Sequence, residues 1–554
     1  MDINLRIAGE AGQGVQTTGN LLIGALARAG LHVLGSQSYM SRIRGGLNWF
    51  DIRVGDRELF APARLADVLV ALTAPALEIL GPEVTEGGLV LFDGPEAGKA
   101  TGIEFTRAAK DVAGSKVMAN TVAAGAVFRA CGYDVDGLCE YLGEQFGKKG
   151  SDVVDANVRC AHRGAELAEG LAGKVAAPAP AGASDWLISG AEAIGLGAAT
   201  AGVKFLTAYP MTPGTATLTH VASIADRYGI IVEQAEDEIA AINMVIGAAY
   251  AGAPAMTVTS GGGFALMVEG LSLAGMTESP AVILIAQRPG PATGLPTRTG
   301  QEDLLFALHA GHGTFPRAVF APGTQRQCYD VTRRAVETAH KAQTPVIILS
   351  DQFLQDLQKN IPPLEETPRP VDRHVLTDPP EDYRRYEVTD SGVSPRALPG
   401  GPALVVVDSD EHDQDGHLTE DLDIRVIQQD KRMRKGDLLA AEALQPEWYG
   451  PQEAKTLLVA WGSTYGPCRE AVDLLNADGP RAAMLHFSQV WPINAGAARP
   501  LLERAERILC VEGNCTGQFA SLLRTAGLLG ECELVRRYDG LPFTADRIAE
   551  EVAS

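Results

Sequence analysis

The chain reads YPMTP at 209–213, QAEDE at 234–238 and TSGGG at 259–263, and each motif contains or directly follows the end of a short apolar run. These runs predict buried strands, and helical periodicity predicts helices at 216–228 and 236–251 between them. Strands that alternate with helices form a parallel sheet with helices on its faces. The stretch therefore predicts an α/β fold with all three motifs at strand ends.

The alternation continues on both sides of this stretch. A helix is predicted at 190–202, and apolar runs up to residue 350 predict further strands, so we place one domain at 185–360. Residues 361–450 are rich in Pro, Asp and Arg, and we expect an extended connecting segment over the surface or at an interface. A last α/β domain is predicted at 451–554.

The N-terminal part predicts a separate α/β domain at 1–172. Residues 3–8 predict a strand, 9–14 a glycine-rich turn and 15–30 a helix, which is a βαβ opening. The run that follows is rich in Ala, Pro and Gly, and we expect a linker at 173–184.

Composition and charge exclude several classes of protein. A chain of 554 residues with 46% hydrophobic and 21% charged residues is typical of a folded protein of three or four domains. The formal charge of −22 argues against nucleic-acid binding, because phosphates attract clustered Lys and Arg. The sequence has neither a signal-peptide pattern nor a membrane-length apolar run, so we expect a cytoplasmic protein with no membrane association.

The eight cysteines are scattered and form no CxxC pair. This spacing disfavours an iron–sulfur or zinc site made by this chain alone, so we predict no metal site in it. Most of the cysteines are expected to be small buried hydrophobic residues.

Two residues at strand ends are candidates for holding a ligand. Pro210 and Pro213 restrict the backbone around Thr212, whose hydroxyl is then held where open α/β sheets bind ligands. Arg288 follows an apolar strand and suits a bidentate carboxylate contact. An ordinary proline-braced turn and a structural ion pair explain the same residues equally well.

Glu238 and the three glycines admit two interpretations each. A carboxylate in the first turn of a helix is often only a partner of the helix dipole. Glu238 is, however, followed by small residues that allow close packing by a ligand or another chain. The Ser260–Gly263 segment permits close backbone approach to a ligand, or is simply a flexible turn.

Two N-terminal loops are candidates for binding an anion. Gly9, Gly12 and Gly14 stand between a strand and a helix, where backbone N–H groups can hold a phosphate, although their order differs from GxGxxG. Arg42 and Arg44 lie beside a diglycine in a cationic loop. A tight turn and a subunit-contact loop are the alternatives.

Taken in order, the motifs resemble the 2-oxoacid:ferredoxin oxidoreductase family, thiamine-diphosphate enzymes that make or cleave acyl-coenzyme A. Two motifs resemble the family's gamma module: GEAGQG (9–14) and SYMSRIRGG (38–46). The remaining motifs resemble the alpha subunit: YPMTP, QAEDEIAAINMVIGAAYAGA (234–253), TVTSGGGFALM (257–267), QRPGPATGLPT (287–297), RYEVTDSGVSPRALPG (385–400), SDEHDQDGHLTED (409–421) and VEGNCTGQF (511–519). Met211 stands where the family usually has Ile, and SGGGF where it often has a Ser-Gly-Pro-Gly type of loop.

The resemblance implies a multi-domain fold and an activity. The fold is a gamma-type α/β domain, a thiamine-diphosphate-type pyrimidine-binding domain and a transketolase C-terminal-like α/β domain. Fusion of gamma to alpha resembles the two-subunit 2-oxoglutarate branch. It implies coenzyme A-dependent oxidative decarboxylation of 2-oxoglutarate to succinyl-CoA and CO2, reversible as reductive carboxylation. Pyruvate, branched-chain and indolepyruvate enzymes remain alternatives, as does a non-catalytic scaffold that binds coenzyme A or a partner.

The resemblance also implies roles for individual residues. Glu238 would pair with N1′ of the thiamine aminopyrimidine, with Glu236 as the alternative carboxylate. The catalytic set is Glu238, Thr212 and Arg288. The cofactor-binding set is Tyr209, Pro210, Thr212, Glu238, Ser260 and Gly261, and the substrate-binding set is Thr212, Arg288 and Thr297. Coenzyme A candidates are Gly12, Gln13, Gly14, Ser41, Arg42 and Arg44; candidates for the distal carboxylate are Arg42, Arg44 and Arg298.

A second subunit is implied as well. The chain has no GDG…N segment for the diphosphate and no cysteine set for a cluster. By the resemblance, a beta subunit would supply the diphosphate site, Mg²⁺ and a [4Fe–4S] cluster, and ferredoxin would accept the electrons. The expected assembly is an (αβ)2 heterotetramer with a shared active site.

Overall fold

The computed structural model describes residues 1–40, 45–182 and 186–553. Its strands, in chain order, are β1 Asp2–Glu10, β2 His32–Ser38, β3 Leu47–Gly55, β4 Ala66–Ala71, β5 Val84–Phe92, β6 Thr101–Gly102, β7 Trp186–Ser189, β8 Phe205–Ala208, β9 Ile231–Gln234, β10 Ala255–Thr259, β11 Ala281–Gln287, β12 Ala318–Phe320, β13 Pro345–Asp351, β14 Gln358–Ile361, β15 Glu447–Tyr449, β16 Thr456–Trp461, β17 Ala482–Phe487, β18 Gln489–Trp491, β19 Arg507–Glu512 and β20 Glu533–Arg536.

Its α-helices, in chain order, are α1 Val15–Arg28, α2 Ala74–Leu80, α3 Phe105–Ala113, α4 Ala119–Ala130, α5 Val135–Phe146, α6 Ser151–Leu167, α7 Gly190–Ala201, α8 Thr215–Tyr228, α9 Glu238–Tyr250, α10 Gly261–Leu266, α11 Val268–Met276, α12 Leu304–His309, α13 Gln325–Ala342, α14 Gln352–Asp356, α15 Leu422–Ala441, α16 Tyr465–Leu475, α17 Ala495–Leu502, α18 Gln518–Thr525 and α19 Ala545–Ala553.

The chain divides into two compact units. The first contains residues 1–188, 356–363 and 544–546, and the second contains the remainder. The first unit is built on a mixed sheet with strand order β6-β5-β4-β1-β3-β2-β14-β7. Its core is apolar and includes Leu5, Leu22 and Phe50, because β1 and α1 bury their hydrophobic faces against each other.

The second unit contains two sheets. The larger has the order β18-β12-β13-β11-β10-β8-β9, in which the strands from β12 to β9 run parallel and β18 is antiparallel. The smaller has the order β15-β17-β16-β19-β20, with β15 antiparallel to the rest. Both bury continuous apolar strands, as parallel sheets covered on two faces do.

Helix α15 lies within the segment that we expected to be an extended connection. It buries two lysines, Lys431 and Lys435, whose ammonium groups lie 2.6 and 2.5 Å from the carboxylate of Glu278. Burial alone would raise the pKa of Glu278, but Lys435 and Lys431 outweigh it and hold that pKa well below its ordinary range. The helix is thus fixed by a buried ion cluster rather than by an apolar stripe.

Candidate active site

The three motifs of residues 209–263 meet at one edge of the larger parallel sheet. Strands β8, β10 and β11 are neighbours, and they end at Ala208, Thr259 and Gln287. The residues that follow these ends are Tyr209, Ser260 and Arg288. This is the carboxyl edge of a parallel sheet, the place where α/β folds bind their ligands.

Glu238 is the first residue of α9 and is buried, with 3% of its surface exposed. The capping function belongs to its neighbour, because Asp237 Oδ1 accepts a hydrogen bond from Ala240 N at 2.7 Å. Glu238 Oε1 is buried and has no hydrogen-bond partner within the described residues. An unpaired buried acceptor costs about 1–3 kcal/mol, so this oxygen is suited to a donor from a bound molecule.

The glycine segment is a helix start rather than the flexible turn that we considered. Ser260 is the N-cap of the short helix α10, which begins at Gly261. Glycine at 263 lets the backbone approach Glu238, because a Cβ there would lie 2.5 Å from Glu238 Oε1 and 2.1 Å from Thr259 Oγ1. Ser260 is fully buried, and its hydroxyl has no partner among the described residues. A second unpaired polar atom therefore belongs to the same site.

Thr212 and Arg288 are in direct contact. Arg288 Nη1 donates a hydrogen bond of 2.6 Å to the backbone carbonyl of Thr212. Burial lowers the pKa of Arg288 from its ordinary value, and the charge of Asp303 opposes this effect. Arg288 Nε is buried and unpaired within the described part of the chain. The turn also packs on β10, because a Cβ at Gly214 would lie 3.1 Å from the carbonyl oxygen of Thr259.

Asp303 is a member of the site that the sequence analysis missed. A Cβ at Gly261 would lie 2.5 Å from Asp303 Oδ1, so this carboxylate lies against the glycine segment. Burial and the neighbouring Glu302 raise the pKa of Asp303 to about 6, while Arg288 acts in the opposite direction. The only signal in the sequence is an Asp before an apolar run, which is also typical of any helix start.

Residues of the motif VEGNCTGQF form hydrogen bonds with the loop that follows β11. Gly513 N donates to Gln301 Oε1 at 2.8 Å, and Gln301 N donates to the carbonyl of Gly513 at 2.8 Å. Gln518 Nε2 donates to the carbonyl of Glu302 at 2.7 Å. The C-terminal sheet therefore positions the segment that carries Thr297 and Asp303.

Some of the predicted site residues are in contact with other residues of the site, and others lie in loops at the same sheet edge. Hydrogen bonding and close packing join Thr212 to Arg288, Glu238 to the glycine segment, and Gly261 to Asp303. Tyr209 is 41% exposed, and Pro210 and Thr297 are half-buried in loops at the same sheet edge. The alternative carboxylate, Glu236, is exposed, so burial favours Glu238.

The candidate coenzyme A residues belong to the first unit. Strand β1 continues through Glu10, so the predicted turn is shortened to residues 11–14. Gly12 and Gly14 have φ values of 89° and 79°, which favour glycine, and Gln13 Oε1 accepts from Glu10 N at 3.1 Å. Ser41, Arg42 and Arg44 lie outside the described residues.

Metal-ligand clusters and membrane-spanning helices are both absent from the described residues. Among residues 1–40, 45–182 and 186–553, His, Cys, Asp and Glu side chains form no group of three that could hold a metal ion. Over the same ranges, none of the helices combines the length and the apolar character needed to cross a bilayer.

The fold and the site define an α/β protein with a buried helix-start carboxylate and a glycine segment at the carboxyl edge of a parallel sheet, an arrangement suited to a bound cofactor. Family models agree: residues 4–167 match the pyruvate ferredoxin/flavodoxin oxidoreductase model, and residues 196–431 match the thiamine-diphosphate-binding model of pyruvate flavodoxin/ferredoxin oxidoreductase. Glu238 Oε1 and Ser260 Oγ, which have no hydrogen-bond partner within the described residues, fit thiamine diphosphate, because both can hydrogen-bond to a polar heterocycle.

Relatives cover the whole length of the chain. The 2-oxoacid:ferredoxin oxidoreductase 2 alpha subunit of Aeropyrum pernix is 30% identical over 100% of this chain and 97% of its own. The 2-oxoglutarate oxidoreductase subunit KorA of Mycobacterium tuberculosis is 30% identical over 99% and 90%. A solved structure, 2-oxoglutarate:ferredoxin oxidoreductase from Magnetococcus marinus with 2-oxoglutarate, coenzyme A and succinyl-CoA bound, is 32% identical with a TM-score of 0.93, over 100% of this chain and 99% of that one.

The chain belongs to the 2-oxoacid:ferredoxin oxidoreductase family and is an alpha-type subunit of a thiamine-diphosphate-dependent oxidoreductase. This confirms the family and the multi-domain α/β fold predicted from the motifs. The roles of individual site residues stay predictions.

Proposed function

We propose that this chain is the alpha subunit of an enzyme that oxidatively decarboxylates 2-oxoglutarate to succinyl-CoA and CO2, passing electrons to ferredoxin. The reverse reductive carboxylation uses the same site. Support for this substrate comes from the similarity to the Magnetococcus marinus enzyme and to the KorA subunits. Thiamine diphosphate, when bound, would supply a carbon acid whose conjugate base is the nucleophile for the keto carbon, and an electron sink for the decarboxylation.

The observation that carries the proposal is the buried carboxylate of Glu238, whose Oε1 has no hydrogen-bond partner among the residues that the structure describes. Placed against Gly263, with no side chain between, its Oε1 is suited to exchange a proton with a ring nitrogen of the aminopyrimidine. Ser260 and Gly261 would line the same pocket, and Tyr209 and Pro210 would form its outer wall.

Thr212, Arg288 and Thr297 are proposed to bind the 2-oxoacid. Arg288 is anchored through Nη1 on the Thr212 carbonyl, and its buried Nε has no partner in the described residues. A partly desolvated guanidinium binds a carboxylate more strongly than an exposed one. The distal carboxylate would be held by Arg298, or by Arg42 and Arg44. Burial lowers the pKa of Arg298, with Asp539 opposing it.

A beta subunit is proposed to complete the site with the diphosphate site, Mg²⁺ and a [4Fe–4S] cluster. An exposed strip of α9 starts next to Glu238 and consists of Ile239, Asn243, Gly247 and Tyr250. Ile239 is 51% exposed and Tyr250 39%, and a Cβ at Gly247 would meet nothing within 4 Å. Small and apolar groups that border a catalytic carboxylate suit close packing by another subunit.

Coenzyme A is the proposed co-substrate. Its candidate contacts are Gly12, Gln13 and Gly14 at the start of α1, together with Ser41, Arg42 and Arg44. The backbone N–H groups at the start of this 14-residue helix are suited to a phosphate.

The test of the substrate is a comparison of 2-oxoacids with the complex of this chain and its beta subunit. Viologen reduction in the presence of coenzyme A is expected to be at least ~10-fold more efficient with 2-oxoglutarate than with pyruvate, because only 2-oxoglutarate offers a distal carboxylate to an arginine. Equal or better kcat/KM with pyruvate, a branched-chain 2-oxoacid or indolepyruvate would reassign the substrate. A complex that binds coenzyme A but turns over none of them would support the scaffold alternative.

A further inference from the structure

Two cysteines of the C-terminal sheet lie close together. Cys510 is in β19, and Cys532 immediately precedes β20, which is the edge strand of that sheet. Their sulfur atoms are 3.8 Å apart, which is van der Waals contact. Cys510 is fully buried, whereas Cys532 is partly exposed. One thiol is therefore open to a small reagent, and the other is available only to its neighbour.

The surroundings favour the thiolate on the exposed member of the pair. The hydrogen bond with Cys510 lowers the pKa of Cys532 to about 7, against the effect of burial. Arg524 acts in the same direction as the hydrogen bond, and the carboxylates of Glu512 and Glu533 act against it. The same pairing raises the pKa of Cys510 well above its ordinary value. The thiolate is the nucleophile in thiol oxidation, so Cys532 reacts first.

We propose that Cys510 and Cys532 form a site of reversible oxidation, at which a hydroperoxide converts the two thiols into a disulfide. In the first step the Cys532 sulfur attacks the peroxide, the O–O bond breaks, and an alcohol or water leaves as Cys532 becomes a sulfenic acid. In the second step the Cys510 sulfur attacks that sulfenic sulfur, and water leaves as the S–S bond forms. The two thiols lose two protons and two electrons, and the peroxide takes up both.

The bond requires a small movement of the backbone. Across the β19–β20 pairing Cys510 lies opposite Leu534, and Cys532 precedes Leu534 by two residues, so the two cysteines are diagonal neighbours. A disulfide requires an S–S distance of about 2.05 Å, so the sulfur atoms must approach by somewhat under 2 Å. Rotation about χ1 and a small shift of the strand can bring the sulfur atoms together. An edge strand such as β20 shifts more readily than a central strand, because it is paired on one side only.

The experiment uses the full-length reduced chain treated with hydrogen peroxide. Free thiols are alkylated with N-ethylmaleimide before and after unfolding, and peptides are identified by mass spectrometry without reduction. The expected result is a linked pair of peptides containing Cys510 and Cys532, lighter by two hydrogens than their sum, which dithiothreitol separates. Cys515, which is exposed, serves as the internal control for general oxidation.

Three variants separate the steps. Cys510→Ser is expected to leave Cys532 as a sulfenic acid that dimedone traps, and Cys532→Ser is expected to leave Cys510 unmodified. Cys515→Ser should form the linked peptides as the wild type does. The proposal is overturned if Cys532 stays alkylatable while Cys515 is oxidised. It is equally overturned if Cys532 advances to a sulfinic acid while Cys510 remains a free thiol.

Discussion

Glycine at 263 is what allows the Glu238 carboxylate to occupy its buried position. A Cβ there would lie 2.5 Å from Glu238 Oε1, whereas a Cβ at Gly262 would meet nothing closer than Ala292 O at 3.8 Å. Both residues are in α10, where alanine is a better helix former than glycine. The two positions thus differ in their effect on Glu238 and on Thr259, whose Oγ1 would lie 2.1 Å from a Cβ at 263, and not in their effect on the helix.

Gly263→Ala is therefore expected to displace Glu238 and to lower kcat for 2-oxoglutarate-dependent viologen reduction by at least ~100-fold, because a misplacement of about 1 Å costs that much. Gly262→Ala is the matched control and should stay within about threefold of wild type. Similar activities of the two variants would show that the position of Glu238 against Gly263 is unimportant.

Asp303 destabilises the folded state by an amount that depends on pH. Burial, aided by Glu302, raises its pKa to about 6, so the folded protein holds this proton more tightly than the unfolded chain, in which Asp titrates near 4. The charged form is disfavoured in the folded state, so stability is lost as the pH rises through 6. Replacement by a neutral isostere removes this loss.

Asp303→Asn is expected to raise the free energy of unfolding by up to about 3 kcal/mol above pH 7, because the pKa of Asp303 is about 6 in the folded protein and about 4 in the unfolded chain. The gain should shrink as the pH falls from 6 towards 4. Urea unfolding of the two proteins at pH 5 and pH 7.5 measures it. A gain that is constant with pH would contradict a raised pKa at Asp303.

At the scale of elements, helix α9 is proposed to have two functional faces. Its first residue, Glu238, is buried in the site, while the strip Ile239, Asn243, Gly247 and Tyr250 is exposed. A Cβ at Gly247 would meet nothing within 4 Å, and the same is true of a Cβ at Gly436 in α15. Arginine is also a better helix former than glycine, so neither replacement should unfold the chain.

Gly247→Arg is expected to weaken association with the beta subunit by at least ~10-fold, because a charged side chain would enter a closely packed interface. Co-purification of tagged chain and partner measures this, and Gly436→Arg is the control that should leave association unchanged. Full association of the Gly247→Arg variant would place the partner on another surface.

Strands were predictable from the sequence because a buried parallel strand is a local apolar run. Strands β8 at 205–208, β10 at 255–259 and β11 at 281–287 are all such apolar runs. Helix α15 was missed because its buried face holds Lys431 and Lys435, which only the distant Glu278 makes tolerable in the interior. Glu238 was predicted as a site residue from a motif. Asp303 was not predicted, because the contact of Asp303 with Gly261 depends on folding of the whole loop after β11.

At the scale of the whole molecule, this chain is proposed to hold only half of the catalytic apparatus. The pyrimidine side of the cofactor is proposed to bind at the carboxyl edge of the larger sheet, and the diphosphate site, the metal and the cluster are proposed to belong to the partner. The purified chain alone is therefore expected to be colourless and to reduce no viologen with 2-oxoglutarate and coenzyme A. Visible absorption and the same assay after addition of the beta subunit check this. A stoichiometric iron–sulfur spectrum of the isolated chain would contradict the division of roles.

The buried carboxylate of Glu238 is proposed to drive the proton transfer that activates the cofactor. The most direct measurement is 2-oxoglutarate-dependent viologen reduction by complexes that contain Glu238→Gln or Glu236→Gln, with assembly verified by gel filtration. Glu238→Gln should assemble and lose activity by about 10²–10⁴-fold, the usual contribution of a positioned acid–base group. Glu236→Gln alters an exposed side chain two residues away and should retain activity. Undiminished turnover by an assembled Glu238→Gln complex would contradict the account.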